Sequence, residues 1–353
     1  MDAGNYSITI GAIERTHFSW LHQRNYAGWL VLVDELTRVH CLPNLLPHLT
    51  HQPTVIVEIP SGEQYKTLDT CRFIWEECLR NGLGRRWCML NLGGGVLGDM
   101  GGFAAATYKR GIDFIQVPTT LLSQVDASVG GKLGIDFYGL KNSIGLFAEP
   151  QAVWIDPAFL STLSARELRS GYAEVLKHSL IADADQWKTL RLYSPTDLLG
   201  LNWRGIVEHS IALKRDIVAK DPQEKGLRKV LNFGHTIGHA LESYWLTTSQ
   251  PLLHGEAIAA GMVAEAWLSH TYCSLTSEEL ADITTAFLSI YGHRPAPEAA
   301  FPTLLTTMYQ DKKNEAESIN CTLLTAIGEA KINQIVSADD VVEALRYYNQ
   351  LGE

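Results

Sequence analysis

The sequence predicts an α/β half followed by a mostly helical half, with the boundary near residue 157. Three observations carry this reading. Up to Ile155, short apolar, β-branched runs alternate with helical stretches and glycine or proline breaks. One of those runs leads straight into a glycine-rich turn and then a helix. Beyond 157, apolar residues recur at helical spacing and β-branched runs become rare. Two domains are the better expectation for 353 residues, and 46% apolar residues supply large cores.

Trp29–Val33 reads as a strand ending at Asp34. An acid there suits ribose hydroxyls of a dinucleotide, and equally a helix cap. Thr54–Ile59 is a second strand, leading through Pro60–Lys66 into a helix that runs to Arg80. Trp87–Leu92 is a buried strand followed by Gly93-Gly94-Gly95-Val96-Leu97-Gly98-Asp99. Strand, glycine turn and helix make a phosphate-binding layout, because glycine permits close approach and a helix start offers unpaired N–H groups. The spacing departs from Gly-x-Gly-x-x-Gly, and a tight helix–strand turn is the plainer alternative. Ile112–Val117 is another strand, closed by Pro118-Thr119-Thr120. Asp126–Lys132 and Gly139–Asn142 place two lysines in glycine-rich loops, lining a cavity or solvated. Ala152–Ile155 is the last strand of this half. Helices follow over 164–180, 202–220, 229–244, 256–270, 276–290 and 339–348.

Chemistry concentrates in the helical half. His235 and His239 have i,i+4 spacing, and His254 follows in a glycine- and alanine-rich setting. Glu174, among small and apolar neighbours, supplies a carboxylate that completes a Glu174/His235/His254 set with an open fourth position. Oxygen and imidazole ligands without thiolate suit zinc or cobalt. Arg110, Lys132, Lys141, Lys177, Lys214, Arg228, Lys312 and Lys313 are the cations available for carboxylate or phosphate. A divalent cation, a dinucleotide loop and an anion cluster together point to redox chemistry on a small, polyanionic, hydroxyl-bearing substrate.

A net charge of −10 argues against nucleic-acid and membrane-surface partners. Six scattered cysteines, no basic-then-apolar leader and no spanning apolar run predict a cytoplasmic protein.

These motifs resemble the 3-dehydroquinate synthase family of the sugar phosphate cyclase superfamily. The resemblance rests on Gly94-Gly95 to Asp99, Pro118–Leu122, Val125–Lys132, Lys141-Asn142, Gly171–His178, Glu224–Arg228, Leu231–Ala240, His254–Ala257 and Asp311-Lys312-Lys313. It implies an α/β NAD-binding domain over 1–157, a mainly α-helical metal- and substrate-binding domain over 158–353, and a homodimer. By the same resemblance NAD meets Asp34, Glu63, Lys66, Gly94, Gly95, Asp99, Thr119, Thr120, Lys141, Thr162, Leu163 and Glu167. Substrate meets Arg110, Asp126, Lys132, Asn142, Lys177, Lys214, Arg228, Asn232, His239, Lys312 and Lys313. Of these, Lys132, Lys177, Lys214, Arg228, Asn232 and His239 are the implied catalytic group, and Arg110 resembles an arginine that reaches the neighbouring subunit's substrate phosphate. The implied reaction turns 3-deoxy-D-arabino-heptulosonate 7-phosphate into 3-dehydroquinate and phosphate, the second step of the shikimate pathway. It runs by transient oxidation at C5 with NAD, β-elimination of phosphate, re-reduction, ring opening and intramolecular aldol closure.

Two departures stand out. Leu133 replaces a threonine usual in the family, predicting a tuned pocket, and 314–320 lacks a usual glycine. The rival readings are a related cyclase acting on a substrate without the carboxylate, a metal-dependent polyol dehydrogenase, and a non-catalytic NAD- or metal-binding regulator.

Overall fold

The computed structural model describes residues 2–3, 6–49, 52–138, 140–310 and 318–352. The chain divides into two compact units, 1–164 with 202–215, and 165–201 with 216–353. This partition differs from a boundary at 157. Residues 158–164 stay with the sheet because Phe159 packs into its core, and 202–215 belongs there because Lys214 bonds Asp126.

The first unit is built on a seven-stranded sheet. Its strands are β1 (Asp2–Ala3), β2 (Tyr6–Ile10), β3 (Gly28–Asp34), β4 (Thr54–Ile59), β5 (Trp87–Gly93) and β6 (Asp113–Pro118). After the hairpin β7 (Lys132–Phe137) and β8 (Leu140–Phe147), which forms its own two-stranded sheet, β9 (Ala152–Ile155) completes it. The order is β1-β2-β9-β6-β5-β3-β4, parallel except for the short β1 edge. β3 is buried over six of its seven residues, as a central parallel strand covered on both faces must be. Alternation sends Leu30 and Leu32 into one core with Met89 and Phe114, and Trp29, Val31 and Val33 into another with Leu90 and Ile115. Two cores on two faces make a three-layer α/β unit.

The chain leaves β3 for β4 on one side and returns to β5 on the other. That reversal splits the carboxyl ends of β3 and β5, which is where open α/β sheets bind ligands. The helix Gly95–Thr107 starts there and lies against β5. Its glycines allow the approach: a Cβ at Gly101 would stand 2.1 Å from Asn91 Oδ1, and one at Gly102 would stand 2.4 Å from Leu133 Cδ2.

Leu133 is therefore a core residue, buried in the cluster with Met100 and Phe103. It fills the hollow over Gly102. The loops expected around Lys132 and Lys141 are the β7–β8 hairpin, whose apolar residues Leu133 and Ile135 reach the same core.

The second unit contains helices Ala165–Ala182, His235–Leu246, His254–Tyr272, Ser277–Tyr291 and Ala338–Gln350. It also holds an antiparallel hairpin, β10 (Ile319–Ala326) and β11 (Glu329–Val336), which a mostly helical reading passed over. The helix expected over 229–244 is two pieces. A 3-10 segment, Leu227–Asn232, ends before Gly234, whose φ of 78° lies in the left-handed region, and the α-helix begins at His235.

Gly101→Val forces a branched side chain into Asn91. We expect it to lower unfolding stability by about 1–3 kcal/mol, read as a fall in Tm with the circular dichroism of the folded state retained.

Candidate functional site

Each unit gathers one cluster of predicted residues. In the first, Asp34 ends β3 and its Oδ1 accepts the Thr37 N–H at 2.7 Å, so the helix cap of the two sequence readings is formed. Gly94 caps the helix after β5, and the first bond of that helix is Gly98 N–H to Gly94 O at 3.0 Å. A side chain at 94 would crowd Thr120 Cγ2 at 3.2 Å. Thr119 is buried with its N–H on Gly93 O, and the Thr120 hydroxyl meets Ser123 Oγ at 2.9 Å. Glycine backbone, a helix start and hydroxyls thus meet at the switch point, an arrangement that accepts phosphate.

Three ion pairs join predicted residues to one another. Lys66 Nζ lies 2.6 Å from Asp99 Oδ2, Lys141 Nζ 3.0 Å from Glu63 Oε1, and Lys214 Nζ 2.7 Å from Asp126 Oδ1. Burial opposes the Lys66 charge, but Asp99, Glu63 and Asp136 outweigh it and hold the ammonium pKa above the ordinary lysine value. Asp136 was not expected here. It accepts the Asn142 N–H at 2.8 Å, and its own N–H donates to Lys66 O, so it ties the hairpin to Lys66. Lys132 is exposed at the start of β7. Arg110 is exposed on a turn where Lys109 and Arg110 have φ of 50° and 67°. Thr162 ends a 3-10 segment, its hydroxyl on Phe159 O, and Leu163 follows it.

In the second unit, Glu174, His235 and His254 converge. Both imidazole Nε2 atoms lie 3.5 Å from Glu174 Oε1. A tetrahedral zinc with bonds of about 2.0–2.2 Å separates its ligand atoms by about 3.3–3.6 Å, so both Glu–His spacings fit such an ion, and all three donor atoms lie within 4.8 Å of one another. Glu174 is fully buried, with Lys177 one helical turn on and ion-paired to it. The His239 ring lies 5.0 Å from His235 and 5.9 Å from His254.

Close helix contact produces this convergence. A Cβ at Gly255 would fall 1.8 Å from Ser170 O, and one at Gly261 would fall 2.2 Å from Gly234 O. Ser170 Oγ also accepts the Gly255 N–H at 3.0 Å. Ser170 precedes Glu174 by one turn, and Gly255 follows His254.

Two supporting carboxylates were missed. Glu242 Oε2 stands 3.3 Å from His254 Nδ1, turning Nε2 toward Glu174. Burial pulls the His254 pKa down, but Glu242 and Glu174 outweigh it and raise it from 6.5 to about 9. Glu265, fully buried, accepts the Gly234 N–H at 2.6 Å and the Ile237 N–H at 3.0 Å. It closes the start of the helix that carries His235, whose own Nδ1 meets Phe233 O at 3.0 Å. Glu242 had a legible cue, its place three residues after His239. Glu265 had only an acid in an apolar helix as its signal.

Arg228 is buried, with its Nη1 on Pro222 O and its N–H on Asp221. Asn232 Nδ2 donates to Glu224 Oε1 at 2.9 Å. Glu167 is exposed in the first turn of its helix. Lys312, Lys313 and most of the glycine-poor stretch lie outside the described residues.

The fold is that of the sugar phosphate cyclases. A 2-epi-5-epi-valiolone synthase from Streptomyces hygroscopicus with NAD+ and Zn2+ bound superposes with a TM-score of 0.86, at 24% identity over 99% of this chain and 98% of that one. A 2-deoxy-scyllo-inosose synthase complexed with carbaglucose-6-phosphate, NAD+ and Co2+ gives 0.82, at 24% identity over 97% and 96%. Family models described as 3-dehydroquinate synthase N-terminal and C-terminal match residues 56–170 and 171–314. The 3-dehydroquinate synthase of Parabacteroides distasonis is 40% identical over 333 residues, 94% of each chain. The chain belongs to the 3-dehydroquinate synthase family.

Glu265→Gln would set an amide N–H against a backbone N–H. We expect zinc affinity, measured by chelator competition, to fall about 10–100-fold. An unchanged affinity in a folded variant would show that His235 needs no such support.

Proposed function

We propose that this chain converts 3-deoxy-D-arabino-heptulosonate 7-phosphate to 3-dehydroquinate and phosphate, with NAD+ and one divalent metal ion at the residues described. The reading is carried by one observation: in a chain of this family, Glu174, His235 and His254 bring their ligand atoms within 4.8 Å of one another, with Lys177 and His239 alongside.

Glu174, His235 and His254 would hold the metal; Asp34, Glu63, Lys66, Gly94, Gly95, Asp99, Thr119, Thr120, Lys141, Thr162, Leu163 and Glu167 would hold NAD. When bound, these groups supply reversible oxidation of one substrate hydroxyl and polarise the resulting carbonyl. The chain's own residues bind, orient and move protons. Arg228, with a guanidinium fork, suits the carboxylate or phosphate, and Asn232 and Asn142 suit hydroxyls. Lys132, Lys214, Lys312 and Lys313 add positive charge for the same anions, and Asp126 aims Lys214. Lys177 Nζ and the His239 ring are the groups placed to hold or pass a proton. This division of labour is electrostatic and positional, which suits a substrate whose phosphate is its own leaving group.

We infer a homodimer in which Arg110 reaches the neighbouring subunit's substrate phosphate. Its exposure on a left-handed turn supports that reading. We also place the protein in the cytoplasm: none of its six cysteines forms a disulfide. Among the described residues no helix is long and apolar enough to cross a membrane.

Zinc-loaded protein with substoichiometric NAD+ should release phosphate and 3-dehydroquinate in equal amounts over many turnovers. Glu174→Ala should lower kcat by at least about 100-fold. Oxidation of simple polyols with one NADH formed per turnover, and no phosphate or 3-dehydroquinate from the sugar phosphate, would overturn the assignment. Mixing Arg110→Ala with Lys177→Ala should restore activity through hybrid dimers, since one of their two sites keeps both residues; no recovery would place Arg110 within its own subunit's site.

A further inference from the structure

The second unit holds a cavity of about 560 Å³ that does not include the metal ligands. Its floor is Ala260, Val263 and Phe287, and its rim is Arg166, Glu256 and Arg294. At about 100° per residue, Val263 lies on the side of its helix opposite His254 and Gly261, and Ala260 lies about 100–120° from both. The volume is in the range of small-molecule sites.

Charge on the rim is unbalanced. Glu256 is engaged by Arg166, whose Nε and Nη2 reach its two carboxylate oxygens at 2.8 and 2.6 Å, and by Arg169 at 3.4 Å. Arg294 has no carboxylate within ion-pair distance among the described residues. Its guanidinium lies 4.2 Å over the Trp245 ring and donates to Gln250 O at 2.6 Å. An apolar floor below a net cationic rim selects an anion with an apolar body, and guanidinium forks favour a carboxylate.

The rim also touches the frame of the metal centre. Arg166 opens the helix that carries Glu174, and Glu256 lies two residues beyond His254, where it accepts the Leu253 N–H at 2.9 Å. A carboxylate that drew Arg166 from Glu256 would loosen the contact between these two helix starts. We propose that this cavity is an effector site for a small carboxylate with an apolar or aromatic body, and that its occupation is coupled to metal affinity. The proposal rests on the cavity and its ion pairs and is independent of the reaction assigned above.

The test uses phenylacetate, benzoate and hexanoate as probes on the zinc-loaded full chain, with phenylacetamide as the neutral control, followed by calorimetry and ligand-observed NMR. At least one acid should bind, and the amide should bind about tenfold more weakly, the worth of one charge-assisted hydrogen bond. Arg294→Ala should weaken the acid by a similar factor while leaving turnover unchanged. Zinc affinity should shift about fivefold or more when the acid is present. Failure of all three acids to bind, equal binding of acid and amide, indifference to Arg294→Ala, or unchanged zinc affinity would overturn the proposal. So would Arg294→Glu changing the sedimentation of the protein, which would make this face a contact between copies of the chain.

Discussion

The metal centre depends on how closely three helix backbones approach. Glu174, His235 and His254 sit on three different helices, and glycine stands at the contacts that let their donor atoms come within 4.8 Å of one another. Gly255 lies against the Ser170 carbonyl and Gly261 against the Gly234 carbonyl, positions where a single methyl group has no room. Packing forces are steep at these distances, so the contact fixes helix positions to a few tenths of an ångström. Charge then finishes what packing begins. Glu265 fastens the backbone ahead of His235, and Glu242 turns the His254 ring. Both carboxylates are buried, and each is matched by donors, so neither is left as an uncompensated charge.

The sheet unit solves a different problem by similar means. Its candidate site residues are strongly charged and poorly solvated, yet Lys66, Lys141 and Lys214 are each paired with a predicted site carboxylate. Pairing keeps the long side chains ordered before a ligand arrives, which lowers the entropic cost of binding. Lys177 beside Glu174 follows the same rule. A cation held this way can still meet an anionic ligand, because the ammonium has three donors and a single carboxylate oxygen uses one.

The sequence was most legible where one residue type has one strong physical use. β-branched runs marked the parallel strands, and the glycine turn after Trp87–Leu92 marked the switch point. His235, His254 and Glu174 marked a group that the fold brings together and that could hold a metal ion. Legibility failed where meaning depends on a distant partner. Leu133 reads as a change in a binding motif, but the hollow above Gly102 makes it core packing. The β7–β8 hairpin was hidden because its glycines resemble a loop, while its inward residues declare themselves only against the helix at 95–107. β10 and β11 were lost among helical neighbours. Glu265 gave almost no signal, since its partners are backbone N–H groups 28 and 31 residues earlier.

That contrast explains why ligands are easier to find than the groups that aim them. A metal ligand must be one of a few residue types, so its identity alone narrows the choice. A supporting residue needs only an acceptor at the right point, which many side chains or a backbone carbonyl can supply. His235 illustrates both routes: its ring is steadied by the Phe233 carbonyl, and its helix by the Glu265 side chain. The carbonyl is available whatever residue stands at 233, whereas the carboxylate must be at 265. Buried opposite a helix start, an acid in an otherwise apolar stretch would cost several kcal/mol without those donors. Its presence in the run from Ala257 to Leu268 is therefore a demand for a partner, and the nearest unsatisfied donors of a neighbouring helix start are where that demand is met.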